Sequence, residues 1–128
     1  MPDRHPVTTE SAPAAIGPYS QAVRSGDLLF CSGQIPLEPS TGELVKEEIE
    51  GQARRCLLNL SAVAEAAGGS LANAVRCTVY LTDMGDFARV NEVYAAFFGE
   101  GDPPARVAVA AAGLPKGADV EIDAIVAL

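Results

Sequence analysis

Arg106, Glu121, Tyr19, Ser32, Gly33 and Asn91 are the residues of this chain whose types and settings could do chemistry. Arg106 stands in the otherwise uncharged run ARVAVAAAG, sharing a strand face with Ala108 and Ala110. An arginine among apolar residues is costly unless paired, and small neighbours leave room beside its planar fork. Such a fork receives a carboxylate through two parallel charge-assisted hydrogen bonds. The alternative is a structural ion pair with Glu121 or Asp123. Glu121 alternates with Val120 and Ile122, so burial would raise its pKa while a nearby arginine would lower it. It is a candidate for managing a proton or a water, or else part of a solvated strand face. Tyr19 in GPYSQ and Ser32-Gly33 in CSGQIP fall at a strand start and a strand end, where hydroxyls and backbone amides either project into a cleft or simply pack. Asn91 is either a solvent-facing side chain or a hydrogen-bonding anchor.

Other chemistries are poorly served by the composition. The one histidine, His5, lies in the polar segment MPDRHPVTTESAP, so a His-based triad or a zinc site has no base or ligand in the body of the chain. There is neither GxxxxGK[ST] nor GxGxxG, and no cofactor is expected. Cys31, Cys56 and Cys77 are widely spaced, odd in number and set in apolar runs, which reads as small core residues in a reducing, cytoplasmic setting. No apolar run approaches the roughly 18 residues of a membrane span. With 9 basic and 17 acidic residues the formal charge is -8, and the basic ones are scattered; nucleic acid is not an expected partner.

The elements that must position these residues follow from the patterning. A length of 128 residues suits one domain, with residues 1–12 expected as a loosely ordered leader. YSQAVRSGDLLFCSGQ reads as a hairpin about Ser25-Gly26, and IPLEPSTGELV as a loop. From Lys46 to about Ala67, apolar residues recur at steps of three and four, with Glu47, Glu48 and Glu50 in the first turn and Gly68-Gly69 as the stop. NAVRCTVYLT reads as a strand, and Asp83 or Asp86 caps a second helix with the stripe Phe87, Val90, Tyr94, Phe97 and Phe98. Strands at 105–112 and 119–128 close the order β-β-α-β-α-β-β, an α+β domain with a mixed sheet carrying two helices. Two helices cover one sheet face, yet the strands at 28–31 and 105–112 are apolar or alanine-rich on both. A neighbouring subunit is the economical cover, so the chain is expected to form a homo-oligomer.

Taken together, APAAIGPYSQAV, CSGQIPLEPSTGE, QARRCLLNL, VYLTDMGDFARVNEVYAAFF, PPARVAVAAAGLPKG and VEIDAIVAL resemble the RidA/YjgF family of reactive-intermediate deaminases from about residue 10 to the end. The resemblance implies a chorismate-mutase-like α+β fold assembled as a homotrimer with ligand clefts between subunits. It implies that Arg106 binds a carboxylate and that Glu121 attends a water. Tyr19, Ser32, Gly33 and Asn91 then contact a small 2-imino or 2-oxo acid. Many members have a cysteine two residues after the arginine; this chain has Ala108, which removes a thiol and enlarges the pocket. The implied reaction is hydrolysis of 2-aminoacrylate or 2-aminocrotonate, as the imine, to a 2-oxo acid and ammonia. Family members are also described as ribonucleases or translation inhibitors, and a binding-only trimer is a third reading. In a simple hairpin Arg106 would face Glu121, but the family's sheet resembles an order in which other strands intervene.

Overall fold

Val120, Ile122, Ala124 and Val126 are buried and the residues between them half-buried, so the last strand keeps the alternation its sequence carries. The computed structural model describes residues 2–128. Its strands are β1 (His5–Val7), β2 (Ala22–Ser25), β3 (Leu28–Gln34), β4 (Ala74–Leu81), β5 (Ala105–Ala110) and β6 (Val120–Ala127), with helices α1 (Ile49–Ala66) and α2 (Phe87–Phe97). They form one mixed sheet of order β1-β2-β3-β6-β4-β5. All neighbours are antiparallel except β4 and β5, which run parallel and are joined through α2.

The hairpin forms as expected. Ser25 pairs with Leu28 across two turn residues, and Gly26 takes the positive φ of 59° that such a turn requires. α1 starts later than its periodicity suggests: Glu48 is extended at the N-cap, and only Glu50 occupies the first turn. The preceding loop is tied back on itself, Val45 N donating to Pro36 O at 2.9 Å, so the helix winds only beyond it. Gly68 ends α1 at φ 81° as anticipated. Neither acid caps α2 through its side chain: Asp86 at the N-cap makes no such bond, and Asp83 instead caps the 3-10 turn at residues 84–86, accepting from Gly85 N at 2.8 Å.

α1 buries Ala53, Cys56, Leu57, Leu60 and Val63 against β3 and β6, and α2 packs beside it on the same face. The three cysteines are buried and unpaired, and burial pushes the Cys31 thiol up to about 12. Asn59, fully buried in α1, donates to Leu37 O at 3.0 Å and accepts from Arg55 Nε at 3.0 Å, fixing the loop after β3. The opposite sheet face is open and apolar, with Phe30 45% and Val109 39% exposed, beside Leu28 and Val107. No helix among the described residues is long and apolar enough to cross a membrane.

The leader departs from the expectation of loose order. His5–Val7 add an edge strand to β2, and Gly26 N donates to Asp3 Oδ2 at 2.7 Å. The buried Gln21 amide spans the next turn, accepting from Thr9 N at 2.7 Å and donating to Pro13 O at 2.8 Å. Backbone pairing and one buried amide order this segment, and neither leaves an apolar period in the sequence. Replacing Gln21 with Ala leaves those partners unsatisfied. We expect a loss of about 1–3 kcal/mol in denaturant-unfolding free energy and faster hydrogen exchange at Thr9.

Candidate active site

The register places Glu121 opposite Tyr80, and Asp123 opposite Thr78, on the sheet face away from the helices. These two carboxylates are treated differently by their surroundings. Asp123 accepts from Thr78 N at 3.0 Å and from the Tyr80 hydroxyl at 3.1 Å, whereas no hydrogen bond is made to the Glu121 carboxylate among the described residues. Burial first, and the neighbouring Asp123 charge second, hold Glu121 above the usual carboxylate range.

A bulge interrupts the pairing of β3 with β6 between Cys31 and Gln34, and it carries Gly33 against Glu121. A Cβ on Gly33 would collide with Glu121 Oε2 and lie 3.0 Å from its Cδ. The close approach explains glycine here better than any turn. Ser32 Oγ donates to Ser20 O at 2.5 Å, fastening the bulge to the segment that carries Tyr19. Tyr19, Ser32, Gly33 and Glu121 thus line one cleft of about 480 Å³. Ile16, Ile35 and Pro115 supply apolar wall, and Lys116 stands at its edge with its Nζ donating to Gly42 O at 3.2 Å. Lys116 and these wall residues were not singled out from sequence; turn-rich segments disclose a turn, not what its side chains face.

Arg106 lies elsewhere. The expectation of an apolar, costly setting for it is overturned because β5 is an edge strand, and Arg106 is exposed. Its register partner is Cys77, on the helix-covered face; β4 separates it from β6, and Glu121 faces the other way. The intrachain ion pair with Glu121 or Asp123 therefore does not form, and among the described residues no carboxylate lies within ion-pair distance of Arg106. Arg106 Nη1 donates to Asn91 Oδ1 at 2.6 Å, so Asn91 meets the arginine directly. The guanidinium carbon lies 4.8 Å from the Tyr94 ring centroid and 5.3 Å from that of Phe87. Arg106, Asn91 and Tyr94 line a second cleft of about 490 Å³ with Phe98 and Pro104. Ala108 is half-buried against the core and lines neither cleft.

The expected residues fall into two groups: an acid with hydroxyl and backbone groups in one cleft, and an unpaired cation with its amide in another. The sequence matches the family described as endoribonuclease L-PSP over residues 9–128. The chain belongs to the RidA/YjgF family. Among its relatives, a RutC family protein of Pyrococcus horikoshii is 56% identical over 93% of this chain and 94% of its own length. The 2-iminobutanoate/2-iminopropanoate deaminase of Escherichia coli is 49% identical over 93% of this chain and 94% of its own. The solved structure of E. coli TdcF with bound serine superposes with a TM-score of 0.92 at 44% identity, covering 97% of this chain and 98% of that one. The six-stranded mixed sheet with two helices is the α+β fold of these family structures.

The Glu121 environment has a pH signature. An acid whose pKa is raised in the folded state contributes stability that is complete below its ordinary value of 4.5 and is lost as pH rises through the raised one. Unfolding free energies measured from about pH 4 to pH 8 should show this decline in the native protein and its absence in Glu121→Gln. Gly33→Ala should fold, because the colliding atoms end a flexible side chain, but should shift the Glu121 carboxyl resonance and its titration midpoint.

Proposed function

We propose that this protein hydrolyses reactive 2-imino acids, such as 2-iminopropanoate and 2-iminobutanoate, to 2-oxo acids and ammonia, as a homotrimer with its sites between subunits. The observation that carries this reading is Arg106: a guanidinium anchored by one amide, with no carboxylate of its own among the described residues and a cleft in front of it. A 2-imino acid supplies the missing carboxylate, held by two parallel charge-assisted bonds of about 1.5–3 kcal/mol each. The imine carbon beside that carboxylate is electrophilic, and more so when its nitrogen is protonated, so positioning a water is the main demand.

Glu121 suits that task. Its raised pKa lets the carboxylate take a proton from the attacking water closer to neutrality than an ordinary glutamate would, and later return it to the departing nitrogen. Water adds to the carbon, the carbon–nitrogen bond breaks, and ammonia leaves; no electron is gained or lost. Gly33 and Ser32 fix the substrate through backbone groups, Tyr19 closes the lip, and Asn91 acts through Arg106.

Because Arg106 and Glu121 lie in separate clefts on opposite sheet faces, a complete site needs two chains. Covering the open face around Phe30 and Val109 with a neighbouring subunit meets the same need. The deaminase name of the E. coli relative and the amino acid bound to TdcF support a small amino-acid-like ligand. The family's endoribonuclease description brings a second reading, but a charge of -8 with 9 scattered basic residues gives RNA phosphates little to hold.

The test generates 2-iminopropanoate with an amino-acid oxidase and traps survivors with semicarbazide. Wild type should accelerate pyruvate formation, and Arg106→Ala should abolish the acceleration while remaining assembled; retained activity would refute the arginine's role. Glu121→Gln should still bind 2-oxobutyrate while turnover falls about 10²–10⁴-fold. Light scattering should give the mass of three chains, with Phe30→Asp shifting it toward one.

A further inference from the structure

Phe87 and Tyr94 belong to the apolar stripe of α2, but their rings do more than fill the core. Both flank the Arg106 guanidinium, at 5.3 and 4.8 Å from its carbon, and Asn91 between them accepts from Nη1 at 2.6 Å. Residues 87, 91 and 94 recur at steps of four and three, which puts all three on one helix face. An exposed arginine on an edge strand with no carboxylate partner and one hydrogen bond would otherwise sample many rotamers. Two rings restrict it, since a cation over an aromatic face is attracted to the ring quadrupole.

The platform is itself rigid. Tyr94 is 5% exposed and packs against Phe98, the rings tilted by 50° with centroids 4.8 Å apart. Its hydroxyl is buried and makes no hydrogen bond of regular geometry, its polar neighbour being the Cys77 thiol, a weak partner. A hydroxyl that costs desolvation and returns at most a weak bond to sulfur adds little to holding the ring.

We propose that Phe87 and Tyr94 are positioning residues for Arg106, an aromatic cradle that holds the guanidinium so that the donors left free by Asn91 face the incoming carboxylate. The inference rests on the reading that Arg106 receives the substrate carboxylate. The carboxylate is bound equally before and during reaction, so loosening the cradle weakens binding without slowing chemistry.

Three variants test it: Tyr94→Leu and Phe87→Leu, which remove a ring, and Tyr94→Phe, which keeps the face and removes only the hydroxyl. Both leucine variants should raise KM for 2-iminobutanoate and the Kd for 2-oxobutyrate about tenfold, equivalent to about 1.4 kcal/mol, with kcat nearly unchanged. Tyr94→Phe should match wild type in all three. The NMR signal of Arg106 Nε–Hε, assigned by its loss in Arg106→Lys, reads the cradle without any turnover. It should move when either ring is replaced by leucine and stay put in Tyr94→Phe. Should Tyr94→Leu fail to fold, the half-buried Phe87 position carries the test alone. Folded leucine variants with wild-type KM, Kd and Arg106 resonance overturn the cradle, as does a Tyr94→Phe loss equal to that of Tyr94→Leu. An Arg106 resonance that responds as stated, in a protein that hydrolyses no imine, upholds the cradle and defeats the deaminase reading instead.

Discussion

A strand can bury only every second residue against a helix layer, and β6, hydrogen-bonded to β3 on one side and β4 on the other, imposes that rule on the whole sheet. Val120, Ile122, Ala124 and Val126 go to the helices, and Glu121 and Asp123 must go to the other face. Neighbouring registers follow. Cys77, Val79 and Leu81 of β4 join the buried set, while Thr78 and Tyr80 meet the acids. Through β4 the rule reaches β5, where it assigns Arg106 to the helix side. A shift of one residue in β6 would bury two carboxylates and expose four aliphatic side chains, so the placement of the acid is as firmly determined as the core itself.

Charge is distributed so that each cleft keeps an unmet demand. Asp123 commits its oxygens to Thr78 and Tyr80, while Glu121 accepts no hydrogen bond among the described residues and has its proton affinity raised by burial first and by the Asp123 charge second. Arg106 meets an amide and two rings, none of which neutralises it. Had the chain paired the two internally, as a hairpin of β5 and β6 would have done, the acid would be pulled toward its ionised form and the cation would be closed to ligands. Inserting β4 between them prevents that.

Much of this was legible in the residues. Period-two alternation disclosed β6, the steps of three and four disclosed both helices, and Gly26 disclosed the hairpin. An apolar composition on both faces of β3 and β5 disclosed the open sheet face. What escaped had no period to read. β1 is held by backbone pairing and by the Gln21 amide, Gly33 owes its identity to a close approach across a bulge, and Phe87 and Tyr94 looked like ordinary core. The setting of Arg106 was misjudged because strand composition does not say whether a strand lies at an edge. Each candidate residue was named from type and resemblance; their division into two clefts required the sheet order.

That division bears on symmetry. Two chains meeting about a twofold axis present the same patch to one another, so such a dimer joins the two clefts only where both lie in that one patch. With the clefts on opposite sheet faces, joining the arginine cleft of one chain to the glutamate cleft of the next instead favours a head-to-tail contact between unlike patches, which closes as a ring. In such a ring every interface draws one half from each neighbour. On the deaminase reading, a ring mixed from chains altered at Arg106 and chains altered at Glu121 would hold at least one intact site, so the two lesions would complement.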